Sequence, residues 1–109
     1  MKLKADGMRN EWTFGGEIVY MKELNCEFGA SLKIKGVSRR INSNSSQICE
    51  FSCLVPSALY DEFVKKEVGL YDNVKVSGHI ETWQKVKSNE KVSVKQMFVV
   101  DYLLDVTKK

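Results

Sequence analysis

The chain has 109 residues, 43% of them hydrophobic and 28% charged, with a formal net charge of +3 at pH 7. That length suits one small domain able to bury a core. No stretch approaches the roughly 18 consecutive apolar residues of a membrane-spanning helix, and the opening Met1-Lys2-Leu3-Lys4-Ala5-Asp6 lacks the apolar run of a secretion signal. The expectation is a soluble, cytoplasmic globular domain with no membrane partner, whose charge permits a polyanionic ligand without requiring one.

Residues 1–10 are polar and read as a flexible N-terminal segment, with 11–109 as a single domain. Trp12, Phe14, Gly16, Ile18 and Tyr20 share one parity, which makes a first strand with one apolar face. The adjacent Gly15 and Gly16 suggest a bulge or bend within it. Leu32-Lys33-Ile34-Lys35-Gly36 alternates as a second strand, and Asn42-Ser43-Asn44-Ser45-Ser46 marks a turn. Cys49, Phe51, Cys53 and Val55 form the apolar side of a third strand.

Pro56-Ser57 ends that strand and begins a helix, with Ser57 as the expected N-cap, Asp61 and Glu62 in its early turns, and Leu59, Phe63 and Val64 at helical spacing. Gly69 is the expected stop. Val74, Val76, Gly78 and Ile80 alternate as a fourth strand, Lys85 to Lys91 is a polar hairpin connection, and Val92 to Val106 supplies a fifth strand. The cysteines, Cys26, Cys49 and Cys53, are odd in number, which argues against a disulfide framework. Cys49 and Cys53 lie four residues apart on a strand, about 13 Å, too far to share a zinc ion bound at about 2.3 Å by each sulfur. Both read as buried core thiols. Three strands, a helix and two more strands is the element order of the five-stranded Greek-key barrel, the OB-fold.

Three segments extend this reading. Gly16-Glu17-Ile18-Val19 opens a strand. Glu50-Phe51-Ser52-Cys53-Leu54-Val55-Pro56-Ser57-Ala58-Leu59 runs from a strand into a helix. Gly69-Leu70-Tyr71-Asp72-Asn73-Val74-Lys75-Val76-Ser77-Gly78-His79-Ile80-Glu81-Thr82-Trp83 passes from a glycine through a short turn to a strand that ends near an aromatic. In order and spacing they resemble the bacterial and phage single-stranded DNA-binding proteins, over roughly residues 12 to 105. The resemblance implies an OB-fold barrel, single-stranded DNA as partner, and a homo-oligomer, dimer or tetramer. Cellular members carry an acidic tail that recruits other proteins, whereas this chain ends Val106-Thr107-Lys108-Lys109, and Glu50 and Pro56 stand where the family often has aromatics. The pattern fits a reduced form encoded by a phage or mobile element.

Sequence-tolerant binding of single strands needs cations along the phosphates and flat rings under the bases. Between Glu27 and Glu50 the charged residues are Lys33, Lys35, Arg39 and Arg40, and around the hairpin they are Lys85, Lys87, Lys91 and Lys95 against Glu90 alone. These stretches are where an OB-fold meets oligonucleotides. Trp83 has the parity opposite to Val76, Gly78 and Ile80, so it should point off the core beside the basic hairpin and stack on bases. Trp12, Phe14 and Phe51 are expected in the core, with Phe28 and Tyr20 as secondary stacking groups. The expected DNA-binding set is Lys33, Lys35, Arg39, Arg40, Trp83, Lys85, Lys87 and Lys91.

His79, the sole histidine, reads as a surface strand residue, and no Walker loop, GxSxG or HExxH is present. No catalysis, cofactor, metal or small-molecule substrate is therefore expected. The leading function is DNA binding in replication, recombination or transfer. Alternatives are an OB-fold protein–protein adaptor of a primosome-like assembly, with Trp83 in its interface, or an RNA-binding OB domain.

Overall fold

A computed structural model describes residues 10–39, 45–86 and 92–109, with the backbone alone at 39, 84–86 and 92–94. Its elements are β1 (Trp12–Glu23), β2 (Phe28–Arg39), β3 (Ser46–Pro56), α1 (Ser57–Lys65), β4 (Asn73–Val86) and β5 (Val92–Thr107). They close into a barrel in the order β1-β2-β3-β5-β4 with the helix between β3 and β4, which is the OB-fold. The expected flexible segment lies outside the described residues, apart from Asn10.

Closure depends on β1, which pairs with β4 through Trp12–Glu17 and with β2 through Glu17–Glu23. One strand can serve two neighbours only if it bends sharply. At Gly16 on β1 the backbone comes so close to β2 that a Cβ would collide with the Lys35 carbonyl, and at Gly78 β4 and β5 approach likewise, a Cβ there colliding with the Val99 carbonyl. The register shift falls between Ile18 and Tyr20, so the glycine pair does not hold the bulge, one of the two expected alternatives there. Val19 is the extra residue, and after it the parity reverses: Ile18 is fully buried, while Tyr20 is 43% exposed. β3 and β5 meet in parallel at a single register pair, Leu54 and Val99.

The barrel interior is filled by Ile18, Leu32, Ile34, Val55, Val76 and Val100, with Phe63 of α1 plugging it. Phe51 sits amid an aromatic cluster, its ring centroid 4.7 Å from Trp12, 4.9 Å from Phe14 and 4.9 Å from Phe98. Trp12, Phe14 and Phe51 thus pack on the core as expected. Of the cysteines, Cys53 is buried, with its thiol pKa pushed up to about 12 by desolvation. Cys49 is only half-buried, which corrects the expectation of a core thiol there, and Cys26 is exposed.

The helix ends also differ from expectation. Pro56 occupies the N-cap position, and Ser57 is instead the first helical residue. Its hydroxyl donates to the Cys26 and Glu27 carbonyls, tying α1 to the β1–β2 loop. Glu67 takes the left-handed conformation (φ 55°) just past the helix, so Gly69 is not the stop. Val64 is exposed, while Phe63 is buried. Among the described residues no helix is long and apolar enough to cross a membrane.

Candidate nucleic-acid interface

On β2, Leu32 and Ile34 are fully buried, and the alternating Lys33 and Lys35 are exposed, as the strand pleat dictates. Their surroundings differ. Lys33 stands opposite Tyr20 on β1 and Ser52 on β3, and its Nζ lies 5.7 Å from the Tyr20 ring centroid, a cation–π arrangement. Lys35 stands opposite Glu17 on β1 and Glu50 on β3. The run from Glu27 to Glu50 is free of acids in sequence, but the sheet brings an acid to each side of Lys35.

Below the Leu54–Val99 contact β3 and β5 diverge, leaving a cleft of about 460 Å³. Phe51, Met97 and Phe98 line it, with Glu50 and Ser52 on the β3 side and Lys95 on the β5 side.

Trp83 points off the barrel, as its parity required, and is 40% exposed. Its ring lies 5.7 Å from that of Phe28 at 30°, and Lys95 stands opposite it on β5. Phe28 is only 9% exposed, though it lies outside the main core cluster. Phe28 is therefore the support beneath Trp83 rather than a second open ring. Tyr20 is exposed beside Lys33.

Arg39 pairs with Ser46 near the end of the β2–β3 arm, and Lys85 with Ser93 near the end of the β4–β5 arm. Their side chains, and all of Arg40, Lys87 and Lys91, lie outside the described residues.

The feature that strand parity alone missed surrounds His79. Its Nδ1 lies 2.9 and 2.8 Å from the two carboxylate oxygens of Asp101, and its Nε2 lies 2.7 Å from Oε2 of Glu81. The other Glu81 oxygen, Oε1, accepts from the Trp83 indole N–H at 3.0 Å. The hydrogen bonds to Asp101, then to Glu81, raise the pKa of His79 above the ordinary imidazole value against a smaller opposing desolvation. The Trp83 N–H, then His79, lower that of Glu81. His79, Glu81 and Trp83 share a parity that the sequence displays. Asp101 does not announce itself, because it is the extra residue of a β5 bulge between the pairs Gly78–Val100 and Ser77–Tyr102. Among the described residues no cluster of three or more His, Cys, Asp or Glu side chains has metal-binding geometry.

No protein-family model and no curated protein matches the sequence. Solved structures do match the fold. The Plasmodium falciparum SSB in complex with single-stranded DNA is 18% identical, with a TM-score of 0.60 over 96% of this chain and 100% of that one. A mitochondrial single-stranded DNA-binding protein of S. cerevisiae is 13% identical, with a TM-score of 0.62 over 91% and 95% of the two chains. A small single-stranded DNA-binding protein of Mycoplasma pneumoniae is 14% identical, with a TM-score of 0.59 over 90% and 94%. The chain has the OB-fold of these single-stranded DNA-binding proteins over nearly its whole length.

Proposed function

We propose that the chain binds single-stranded DNA without reading its sequence. The observation that carries this reading is the setting of Trp83: an exposed indole backed by a buried Phe28 and facing Lys95 across the strand pair. Such a ring suits any base, because every base has a π-face, and an adjacent ammonium suits the phosphate that follows. Tyr20 with Lys33 repeats the combination on β2. The fold shared with DNA-binding proteins supports the same reading.

The mechanism is equilibrium binding with no catalytic step, no cofactor and no small-molecule substrate. The chain works as a homo-oligomer, dimer or tetramer, and covers strands exposed during replication, recombination or transfer of a phage or mobile element. Lys33, Lys35, Arg39, Arg40, Lys85, Lys87 and Lys91 supply the cations, with Lys33 ahead of Lys35 because Glu17 and Glu50 flank the latter.

A tryptophan-fluorescence titration with oligo-dT, duplex DNA and poly-U at two salt concentrations tests the proposal. Quenching by oligo-dT, weakened by salt and absent with duplex, is expected. Equal binding of duplex would overturn it, and tighter binding of poly-U would favour the RNA alternative.

A further inference from the structure

We propose that Glu81 is a positioning residue for Trp83, itself oriented by His79 and Asp101, so that the protonation of one histidine governs how firmly a base-stacking ring is held. The inference rests on the reading of Trp83 as a stacking group.

The geometry is a continuous chain of contacts across two strands: Asp101 to Nδ1 of His79, Nε2 to Glu81, and Glu81 to the indole N–H, at 2.7 to 3.0 Å throughout. Each group has one identifiable task. Phe28 supports the Trp83 ring, but a ring contact leaves rotation in the ring plane free. The N–H bond to Glu81 removes that freedom. Glu81 on an exposed strand has several rotamers, and the bond to His79 selects one. Asp101, turned toward β4 by its bulge, fixes the imidazole.

The chain needs a doubly protonated imidazole. Only the imidazolium has two N–H donors, one for each carboxylate; a neutral ring leaves one carboxylate facing a lone pair. The described groups around the relay include no further titratable partner of the imidazole. From β1, Trp12 donates to the His79 carbonyl, Asn10 bonds the Ile80 backbone, and Glu11 lines a groove with Asp101. From β5, Val99, Met97 and Lys95 stand opposite His79, Glu81 and Trp83. Because the folded protein holds the proton more tightly than a free histidine does, the grip is complete below the ordinary histidine range. It is lost as pH rises through the raised value. Deprotonation has two consequences of the same sign: Glu81, and through it the indole, is held less firmly, and the Glu81 carboxylate is left without its counter-charge beside bound phosphates.

The first test needs no DNA. In the ¹⁵N-labelled full chain, the Trp83 indole N–H signal, assigned with Trp83→Phe, is followed from below the ordinary histidine range to well above it, because the His79 pKa is raised. It should shift with the same midpoint as the imidazole protons and lose that shift in His79→Gln. A Trp83 signal that ignores the His79 titration overturns the relay whatever happens with DNA.

The second test compares Glu81→Ala with Glu81→Gln on oligo-dT. Both remove the charge, but only glutamine can still accept the indole N–H. Glu81→Ala should bind about threefold to tenfold more weakly than Glu81→Gln, the range of one net hydrogen bond. Equal affinities would overturn the positioning role. If Trp83→Ala also leaves binding unchanged, the stacking reading itself has failed, and the positioning role falls with it.

Discussion

Lys33 and Tyr20 stand directly across from one another on β2 and β1, with the ammonium 5.7 Å from the ring centroid. Two residues along, Lys35 occupies the same face between Glu17 and Glu50. The two lysines look equivalent in sequence and are unlike in their electrostatic setting.

Lys33→Ala should therefore weaken oligo-dT binding more than Lys35→Ala. Removing one phosphate-neutralising cation makes the slope of log affinity against log salt shallower by roughly 0.7. Glu50→Gln, by relieving Lys35 of one neighbouring acid, should strengthen binding at low salt. Salt titrations of the three variants check the order, and identical slopes for wild type and Lys33→Ala would remove β2 from the groove.

Trp83→Ala should cost about 1–3 kcal/mol of binding, the value of one base–aromatic stack. The fold should survive, because the ring is outside the main core cluster. Sedimentation of the variant beside a DNA titration separates this from an interface role. A variant that stays assembled and binds normally refutes stacking, and one that dissociates supports the adaptor alternative.

Phe51→Ala should destabilise the fold by about 3–5 kcal/mol, the usual cost of deleting a packed aromatic. It also removes the ring packing against Trp12, Phe14 and Phe98 at once. Urea denaturation gives the value; a destabilisation below about 1 kcal/mol would show that the cluster re-packs.

Asp72 should govern acid stability. Its carboxylate accepts from the Lys108 ammonium and from the Gly69 and Lys109 amides, and these hold its pKa down to about 2 from an ordinary 3.8. A carboxyl whose folded pKa is lowered contributes stability above the ordinary value and loses it as pH falls toward the folded one. Thermal melts should show Asp72→Ala below wild type at neutral pH, with the gap closing between about pH 4 and about pH 2. A constant gap would locate the effect in packing alone.

The strands were legible because each has one buried face, so alternation in Leu32–Lys35 or Val74–Ile80 translates directly into inside and outside. The helix was legible from Pro56, but its ends were not. The carbonyls that Ser57 bonds belong to a loop some thirty residues earlier, and the left-handed residue is Glu67 rather than the nearby glycine. At the candidate site, the outward direction of Lys33, Lys35 and Trp83 followed from parity. What lies beside them did not: Glu17, Phe28 and Asp101 arrive from other strands. Their positions depend on register and on two bulges, which no local pattern encodes.

The extra residue in β1 has a wider consequence. Strict alternation from Ile18 would send Tyr20 into the barrel and Met21 into water. Because Val19 is absorbed by the bulge, a single twelve-residue strand lines the core with its first half and offers a ring to the outside with its second. A one-residue deletion at Val19 would therefore straighten the strand without turning a side chain over, because Ile18 and Tyr20 already hold consecutive partners, Ile34 and Lys33. Forcing Val19 into the ladder would instead act as a spatial frameshift, exchanging the inward and outward roles of every side chain from Tyr20 to Glu23. The bulge, and not only residue type, decides which face each side chain takes at this point in the chain.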